Sequence, residues 1–261
     1  MLKCFLCTLM LSFGYVGSVF SKETQACSDD VIAAVADWAK INTQNHPDIS
    51  DACKVMPDKT DTTIAVAAFD VKSSPADDYG TKLQIVAIIK NGQVLTADRK
   101  EITEDSMTVV GEGSYTIDTA AYRLSPDTRA FGVIFDSDAR GGSCPDYYAE
   151  RELTLWVHDG NKLRAVLGTN LYGWVNLDDA WCNKKSESAH ITLSVGKTIN
   201  HGFYDLTLAA HVVKAEENNG EYTESGSRVI RKRLHYDGKT YGSDMFREFW
   251  YPKSIDKEPT N

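Results

Sequence analysis

Two hydrophobic patterns divide the chain into a short helical start and a long series of strands. Apolar residues at helical spacing follow Ser28, which can cap a helix, and two acidic residues suit its first turn. This pattern predicts a helix over 29–40. A second, shorter helical turn is predicted over 49–56, where Pro57 would end it.

From residue 62 onward the apolar positions are continuous or alternate every second residue, as in strands. The segment KLQIVAIIK, residues 82–90, is rich in β-branched residues, and Asn91-Gly92 follows it. A tight hairpin turn needs positive φ at both central positions, which Asn-Gly tolerates, so this is the strongest turn signal in the chain. The predicted strands are 62–69, 82–90, 93–99, 106–110, 115–118, 130–135, 153–158, 162–167, 190–195, 205–213, 228–236 and a short one at Tyr241.

Many short strands after one helix predict a mainly β fold, an antiparallel β-sandwich or a meander of hairpins. Two predicted hairpins share a pattern that runs from strand through Asp-Gly and Lys into strand. That repeat leaves a small propeller-like β fold as an alternative. We expect one mainly β domain over 22–252, opening with the helix, and a flexible tail over 253–261.

The first 21 residues are typical of a secretory signal peptide. Lys3 precedes an apolar run from Cys4 to Val16, and small residues follow this run. The run is shorter than the roughly 20 residues needed to span a bilayer. We therefore expect residues 1–21 to be removed on export to the periplasm or the exterior, and the remaining chain to stay off the membrane.

The cysteines support the same compartment. Removal of the leader would leave Cys27, Cys53, Cys144 and Cys182, an even number in an oxidising environment, which predicts two disulfides. Four cysteines allow three pairings. Spacing favours neighbours, Cys27 with Cys53 and Cys144 with Cys182, and the first bridge would join the two predicted helical elements.

The segment around Cys144 holds the densest group of candidate chemistry. Asp136 and Asp138 begin like a calcium loop, but Tyr147 stands at the twelfth position, where a bidentate Glu is needed. The Gly-x-Ser-x-Gly elbow of a nucleophilic serine is missing around Ser143. A bridged cysteine in a solvated loop is the preferred interpretation.

Two histidines are the sharpest candidate site. If Ile191 and its alternate neighbours face the core, His190 and His211 point outward. A turn centred on Asn200-His201 would make them cross-strand neighbours, able to share a metal or to respond to pH. The alternative is two exposed imidazoles without a role, because spacing places no third ligand beside them. We expect no cofactor.

A basic strand near the C-terminus is a second candidate surface. Alternation puts Arg231, Arg233 and His235 on one face, where they could bind an anion or simply pair with neighbouring acids. Trp181 and Trp250 lie near predicted loops. They could contribute to protein or sugar recognition, or they could fill the core.

Three segments resemble parts of uncharacterised exported bacterial β-rich proteins, some with hairpins similar to those of propeller-type repeats. These segments are RAFGVIFDS, LTLWVHDGNKLRAVL and HGFYDLTL. The resemblance covers mostly the second half of the chain. It implies an exported bacterial β protein and implies no activity.

The net charge limits the classes of partner. The chain carries a formal charge of −9, which disfavours binding to nucleic acid or to anionic lipid and favours a basic exported partner protein. The chain contains no complete sequence pattern of a known catalytic site. We therefore expect a non-enzymatic exported binding protein, in the manner of an inhibitor or immunity factor of the bacterial envelope. The alternatives are an envelope hydrolase or carbohydrate-active enzyme whose site is assembled from distant loops, and a carrier or structural component.

Overall fold

A computed structural model describes residues 24–72, 79–142, 145–178, 184–218, 220–242 and 249–251. Within these ranges the chain forms one helix and eleven strands. They are α1 (Asp29–Ala39), β1 (Asp48–Met56), β2 (Lys59–Lys72), β3 (Thr81–Lys90), β4 (Gln93–Thr103), β5 (Tyr115–Arg123), β6 (Arg129–Phe135), β7 (Tyr147–Asp159), β8 (Lys162–Asn176), β9 (Lys185–Asn200), β10 (Phe203–Asn218) and β11 (Glu221–Leu234). The prediction of a mainly β fold with one short N-terminal helix is confirmed.

The strands form two antiparallel sheets in which neighbours in sequence are neighbours in space. Sheet A has the order β1-β2-β3-β4, and sheet B has the order β11-β10-β9-β8-β7-β6-β5. Sheet B curls into a half-barrel. The described strands form one four-stranded and one seven-stranded meander and not the repeated blades of a propeller. Of the predicted architectures, the meander of hairpins therefore describes the fold.

Sheet A is covered on both faces, which explains the continuous apolar run in β2. Ala65, Ala67 and Phe69 pack against α1, whereas Ile64 and Val66 pack against sheet B. A strand buried on both faces reads as an unbroken apolar segment rather than an alternating one. The core between the two sheets therefore joins them through shared side chains.

The inside of the curled sheet B forms a separate core. Leu206, Leu208 and Trp250 are fully or almost fully buried there. Arg228 donates to both carboxylate oxygens of the buried Glu187, at 2.5 and 2.7 Å, and also to the Trp250 carbonyl at 3.1 Å. This ion pair ties the end of the described chain to strands β9 and β11.

The predicted bridge between Cys27 and Cys53 is confirmed, with 4.9 Å between the two Cα atoms. It joins the segment before α1 to β1, and Gln25 pairs with Cys53 as an isolated antiparallel bridge. A disulfide is consistent with export to an oxidising compartment. Residues 1–21, Cys144, Cys182 and the tail over 253–261 lie outside the described residues.

No helix among the described residues has the length and apolar character needed to cross a membrane.

The predicted helical turn over 49–56 is wrong, because these residues form β1. Ile49, Ala52, Cys53 and Met56 have helical spacing, but they pair antiparallel with β2, where Ala52 lies opposite Val66. Both faces of β1 meet apolar layers, Ala52 toward sheet B and Cys53 toward α1. Burial on two faces removes the alternation that identifies a strand in the sequence.

Two other predicted strands are also absent from the described structure. The segment 106–110 is a loop in which Asp105 Oδ1 accepts hydrogen bonds from the amides of Met107 and Thr108. Such a side-chain turn satisfies the backbone without a strand partner. Tyr241 is not in a strand, although its amide donates to the carbonyl of the sequence-distant Val166 at 2.8 Å.

Candidate functional site

The two predicted histidines face solvent side by side on the outer face of sheet B. His190 in β9 lies directly opposite His211 in β10, and both are exposed, so the predicted neighbours are confirmed. The turn itself differs from the prediction, because His201-Gly202 occupies its centre with positive φ at both residues. A register shift between Tyr204 and Leu206 restores the pairing of the two histidines.

Aromatic residues extend this pair across the sheet. Tyr172 in β8 lies opposite His190, with ring centroids 5.0 Å apart. On the other side, Val229 in β11 lies opposite His211. We call the following six residues the aromatic-histidine row: Tyr148, Tyr172, Trp174, His190, His211 and Val229.

The β7 end of the row is a stacked pair. Tyr148 and Trp174 are cross-strand partners, with ring centroids 5.3 Å apart and planes inclined by 12°. Tyr148 also contacts Tyr172 at 6.0 Å between centroids. Burial raises the pKa of the Tyr148 hydroxyl, and its hydrogen bond with Tyr172 and the charge of Glu150 act in the same direction. The phenol therefore stays neutral and able to donate a hydrogen bond at physiological pH.

The row is open to solvent. His190 and His211 are exposed, the three aromatic side chains are half-buried, and 44% of Val229 is exposed. The row crosses five adjacent strands, from β7 to β11. Such a run of solvent-accessible rings on a paired sheet is rigid, because each ring stands on hydrogen-bonded backbone.

Polar and basic side chains flank the row on β9, β10 and β11. Arg231 lies opposite Ala209, and Arg233 lies opposite Thr207. By alternation and pairing, the outward positions around the histidine pair, over 188–194 of β9, 207–213 of β10 and 227–233 of β11, are Ser188, His190, Thr192, Ser194, Thr207, Ala209, His211, Val213, Ser227, Val229, Arg231 and Arg233. None of these residues is acidic, although the whole chain carries a charge of −9.

His235 has a different environment from the two arginines. Its Nδ1 lies 3.0 Å from Oδ1 of Asp205, which is only 2% exposed, and Asn200 donates to the same oxygen at 2.6 Å. Burial alone raises the pKa of Asp205, but the hydrogen bonds from Asn200 and His235 and the charges of His235 and Arg233 bring it below its ordinary value. The imidazole of His235 is thus engaged with a buried carboxylate.

The two tryptophans predicted as binding residues are not part of this surface. Trp250 is fully buried inside sheet B, where its ring packs so closely on Gly173 that an added Cβ would lie 2.8 Å from Cζ2. Because Trp250 lies in the core, it cannot contact a partner on the surface. This agrees with the alternative prediction that the tryptophan fills the core. Trp181 lies outside the described residues.

Sequence reasoning missed the aromatic half of the row. Because β8 was predicted to end near residue 167, Tyr172 and Trp174 were not recognised as alternate residues on one strand face. Their spacing of two residues is the signal that could have placed them together.

The row offers hydrogen-bond donors and aromatic edges, and Arg231 and Arg233 on β11 add positive charge to the same face. Among the described residues no group of three or more histidine, cysteine, aspartate or glutamate side chains could hold a metal ion, so the predicted metal role of His190 and His211 stays a prediction. In the same part of the chain, no serine, threonine or cysteine is hydrogen-bonded to a histidine. Comparisons with models of known families, with curated proteins and with solved structures found no match to this chain.

Proposed function

We propose that this chain is an exported binding protein that holds a partner protein on the outer face of sheet B. The observation that carries the proposal is the solvent-accessible aromatic-histidine row, which crosses five paired strands. An enzyme or a carrier would not need rings aligned on the outer face of its sheet. A binding surface gains from them, because they lose little conformational entropy on contact.

The composition of the row favours protein over sugar. Tyrosine, tryptophan and arginine are the residues enriched at energetic hot spots of protein interfaces, usually inside a polar rim. Here Trp174 lies opposite Ser188 and Tyr172 opposite His190, while Arg231 lies on β11 of the same sheet. Sugar stacking needs free ring faces, and the stack of Tyr148 on Trp174 occupies one face of each ring. The edges and hydroxyl groups that stay accessible suit a protein surface.

The charge of the face points to acidic groups on the partner. Over the paired segments 188–194, 207–213 and 227–233, no acidic residue lies at an outward position beside Arg231 and Arg233, whereas Glu150 lies opposite Tyr172 at the other end of the row. Opposite charges at an interface favour encounter and fix orientation. The basic partner expected from the net charge would have to contact another, acidic part of the surface, and it remains a separate proposal.

Location in the periplasm or outside the cell belongs to the same proposal. The support is the bridge between Cys27 and Cys53, since stable disulfides persist in oxidising compartments. An inhibitor or immunity factor is the kind of binding protein that this arrangement would suit, because its rigid sheet requires no moving part.

Site-specific photo-crosslinking in the cell that produces the protein tests the contact surface. A photoreactive phenylalanine at Val229 should capture a defined partner. The matched control is Leu95, an equally exposed apolar residue on β4 of sheet A. Capture of the same partner at both positions, or at Leu95 alone, would contradict the assignment of the face.

Affinity measurements with the purified captured partner then test the row itself. Calorimetry should show a loss of about tenfold or more for Tyr172→Ala and for Arg231→Glu, since hot-spot truncations cost about 2 kcal/mol. Leu95→Ala should leave the dissociation constant unchanged. Equal affinities for all variants would contradict the proposal that the row binds the partner. Capture of partners with a basic contact surface would contradict the expectation of acidic groups on the partner.

The enzyme alternative stays a prediction. Asp98 and Glu152 line one cleft between the sheets, but no histidine does so among the residues described. The row contributes no group to that cleft.

A further inference from the structure

Strand β11 forms one edge of sheet B, and its free side has no strand beside it in the described part of the chain. Along its 14 residues, alternate backbone N–H and C=O groups point to that side, and most of the side chains are exposed. The strand contains no proline, which would interrupt pairing. A long open edge of this kind is a template for a further extended chain.

The edges at β1 and β5 are covered, in contrast to β11. Thr24 accepts a hydrogen bond from the Ile117 amide of β5 and donates one to its carbonyl, each at 3.2 Å, and Lys54 donates to the same carbonyl at 3.1 Å. On β1, the amide and the carbonyl of Cys53 bond to the backbone of Gln25, at 2.7 and 3.1 Å. No described residue bonds to the free side of β11 in this way.

The charges of β11 have opposite signs at its two ends. Glu221 and Glu224 lie in its first four residues, whereas Arg231, Lys232 and Arg233 lie in its last four. Glu221, Glu224 and Lys232 form no ion pair with a described residue. Edge charges of one sign repel a second copy of the strand. Here an antiparallel copy would instead bring the acidic end of each strand against the basic end of the other.

Pairing with β10 shows which residues of β11 share a face. The inner face of sheet B is defined on β10 by Leu208, Ala210 and Val212, which lie in the inner core. The register shift in β10 between residues 214 and 215 leaves Ser225 of β11 as a bulge without an opposite residue. By alternation and pairing, the inner positions of β11 are Glu221, Thr223, Gly226, Arg228, Ile230 and Lys232, and the outer ones are Tyr222, Glu224, Ser227, Val229, Arg231 and Arg233.

One register makes two such strands complementary. With the bulge residue Ser225 left out, antiparallel pairing that places Glu221 opposite Lys232 of a second copy also places Ser227 opposite Ser227. The arrangement is therefore symmetric about a two-fold axis at Ser227, as a closed dimer requires. Every residue then meets a residue from the same face, and Glu224 lies diagonal to Arg231, within reach of an ion pair.

We propose that two copies of this chain form a dimer through β11, paired antiparallel in this register. The pairing adds backbone hydrogen bonds between the two open edges and brings each acidic end against a basic end. It also joins the two outer faces, so that a dimer carries two aromatic-histidine rows on one surface. The dimer does not depend on the binding function proposed for that face.

Sedimentation velocity over a concentration series of the purified protein tests the association, and it should show a monomer–dimer equilibrium. Glu221→Lys and Lys232→Glu should each raise the dimer dissociation constant about tenfold, because each places like charges at two symmetry-related positions. The double variant restores opposite charges and should return the constant close to that of the parent. Asp127→Lys, in the exposed turn between β5 and β6, is the matched control and should leave it unchanged.

A cysteine at the symmetry axis tests the register. Ser227→Cys should form an intermolecular disulfide under mild oxidation, because directly opposed residues of an antiparallel pair have Cα atoms about 4.5–5.5 Å apart. Ser194→Cys, on an exposed outward position of the interior strand β9, is the control and should stay unlinked.

Three results would overturn the dimer. The first is a parent protein that stays monomeric at its highest soluble concentration, which would leave the edge to an extended segment of another protein. The second is a double charge variant that associates as weakly as the two single variants. The third is a Ser227→Cys protein that links no faster than Ser194→Cys.

Discussion

At the scale of single residues, Gly173 shows how the core of sheet B limits its sequence. The ring of Trp250 occupies the space beside its Cα, so a methyl group at this position would lie 2.8 Å from Cζ2. Trp250 is fully buried and cannot move toward solvent without leaving the core. Gly173 is therefore required by a close approach rather than by a turn.

We predict that Gly173→Ala destabilises the fold by about 1–3 kcal/mol, the usual cost of overpacking a well-filled core. Urea unfolding at neutral pH measures it. Gly226→Ala is the matched control, because Gly226 also lies in a strand but has no atom within 4 Å of an added Cβ. If Gly226→Ala lowers the free energy of unfolding as much as Gly173→Ala does, the destabilisation comes from strand propensity and not from the contact with Trp250.

Asp205 should make the stability of the fold depend on pH, and its neighbours decide the direction of this dependence. Its pKa is below the ordinary value, since the hydrogen bonds from Asn200 and His235 outweigh the opposing effect of burial. A carboxyl whose folded pKa is lowered adds stability that is fully present above its unfolded pKa of about 4 and is lost as the pH falls through the folded value.

We therefore predict that Asp205→Asn is less stable than the parent protein at pH 6, and that the difference shrinks as the pH falls below 4. Unfolding in urea at a series of pH values checks this expectation. Asp127→Asn, which removes an exposed acid, should show little difference at any pH. A penalty for Asp205→Asn that is constant down to pH 2 would mean that its charge does not contribute.

At the scale of elements, the bridge between Cys27 and Cys53 closes the segment that contains α1. With a sequence separation of 26 between its two cysteines, the bridge should add about 3–4 kcal/mol by limiting the unfolded chain. We predict a loss of that size for the double variant Cys27→Ser, Cys53→Ala, measured by chemical unfolding without reductant. Equal stability of the two proteins would show that α1 is held on sheet A by packing alone.

The elements that could be predicted from the sequence were those with local signals. Asn91-Gly92 set the hairpin between β3 and β4, because positive φ at both residues favours a single turn type. The outward positions of His190 and His211 were predictable from alternation, but their pairing also depends on the register shift between Tyr204 and Leu206, which has no signal in the sequence. By contrast, the sequence predicts a helical turn where β1 forms. Both faces of this strand are covered by apolar layers, so its apolar residues do not alternate as in a typical strand.

The candidate surface was predictable only in part for the same reason. Alternation identified the outward histidines and arginines, but the eight residues 177–184 that join β8 to β9 contain no Asn-Gly or Asp-Gly turn signal that would fix the register of these strands. Only the pairing of β8 with β9 brings Tyr172 beside His190.

At the scale of the whole molecule, the two sheets share side chains instead of forming separate cores. Val66 and Val86 of sheet A lie in one cluster with Phe131, Val133 and Trp156 of sheet B. The inner core of sheet B uses the opposite face of the same β6 and β7 strands. Loss of either sheet would thus expose a face of the other.

We predict that the protein unfolds in one cooperative transition, as expected for one domain over 22–252 with a core common to both sheets. Far-UV circular dichroism and tryptophan fluorescence should give the same urea midpoint. Val66→Ala in the shared core and Leu208→Ala inside sheet B should each move that common midpoint to lower urea, by an amount that corresponds to about 1–5 kcal/mol for large-to-small core substitutions. Because the strands β6 and β7 contribute to both cores, a variant in one core must weaken the other. Two separate transitions, with each variant moving only one of them, would instead divide the chain into two folding units and would make the cleft between the sheets a boundary between domains.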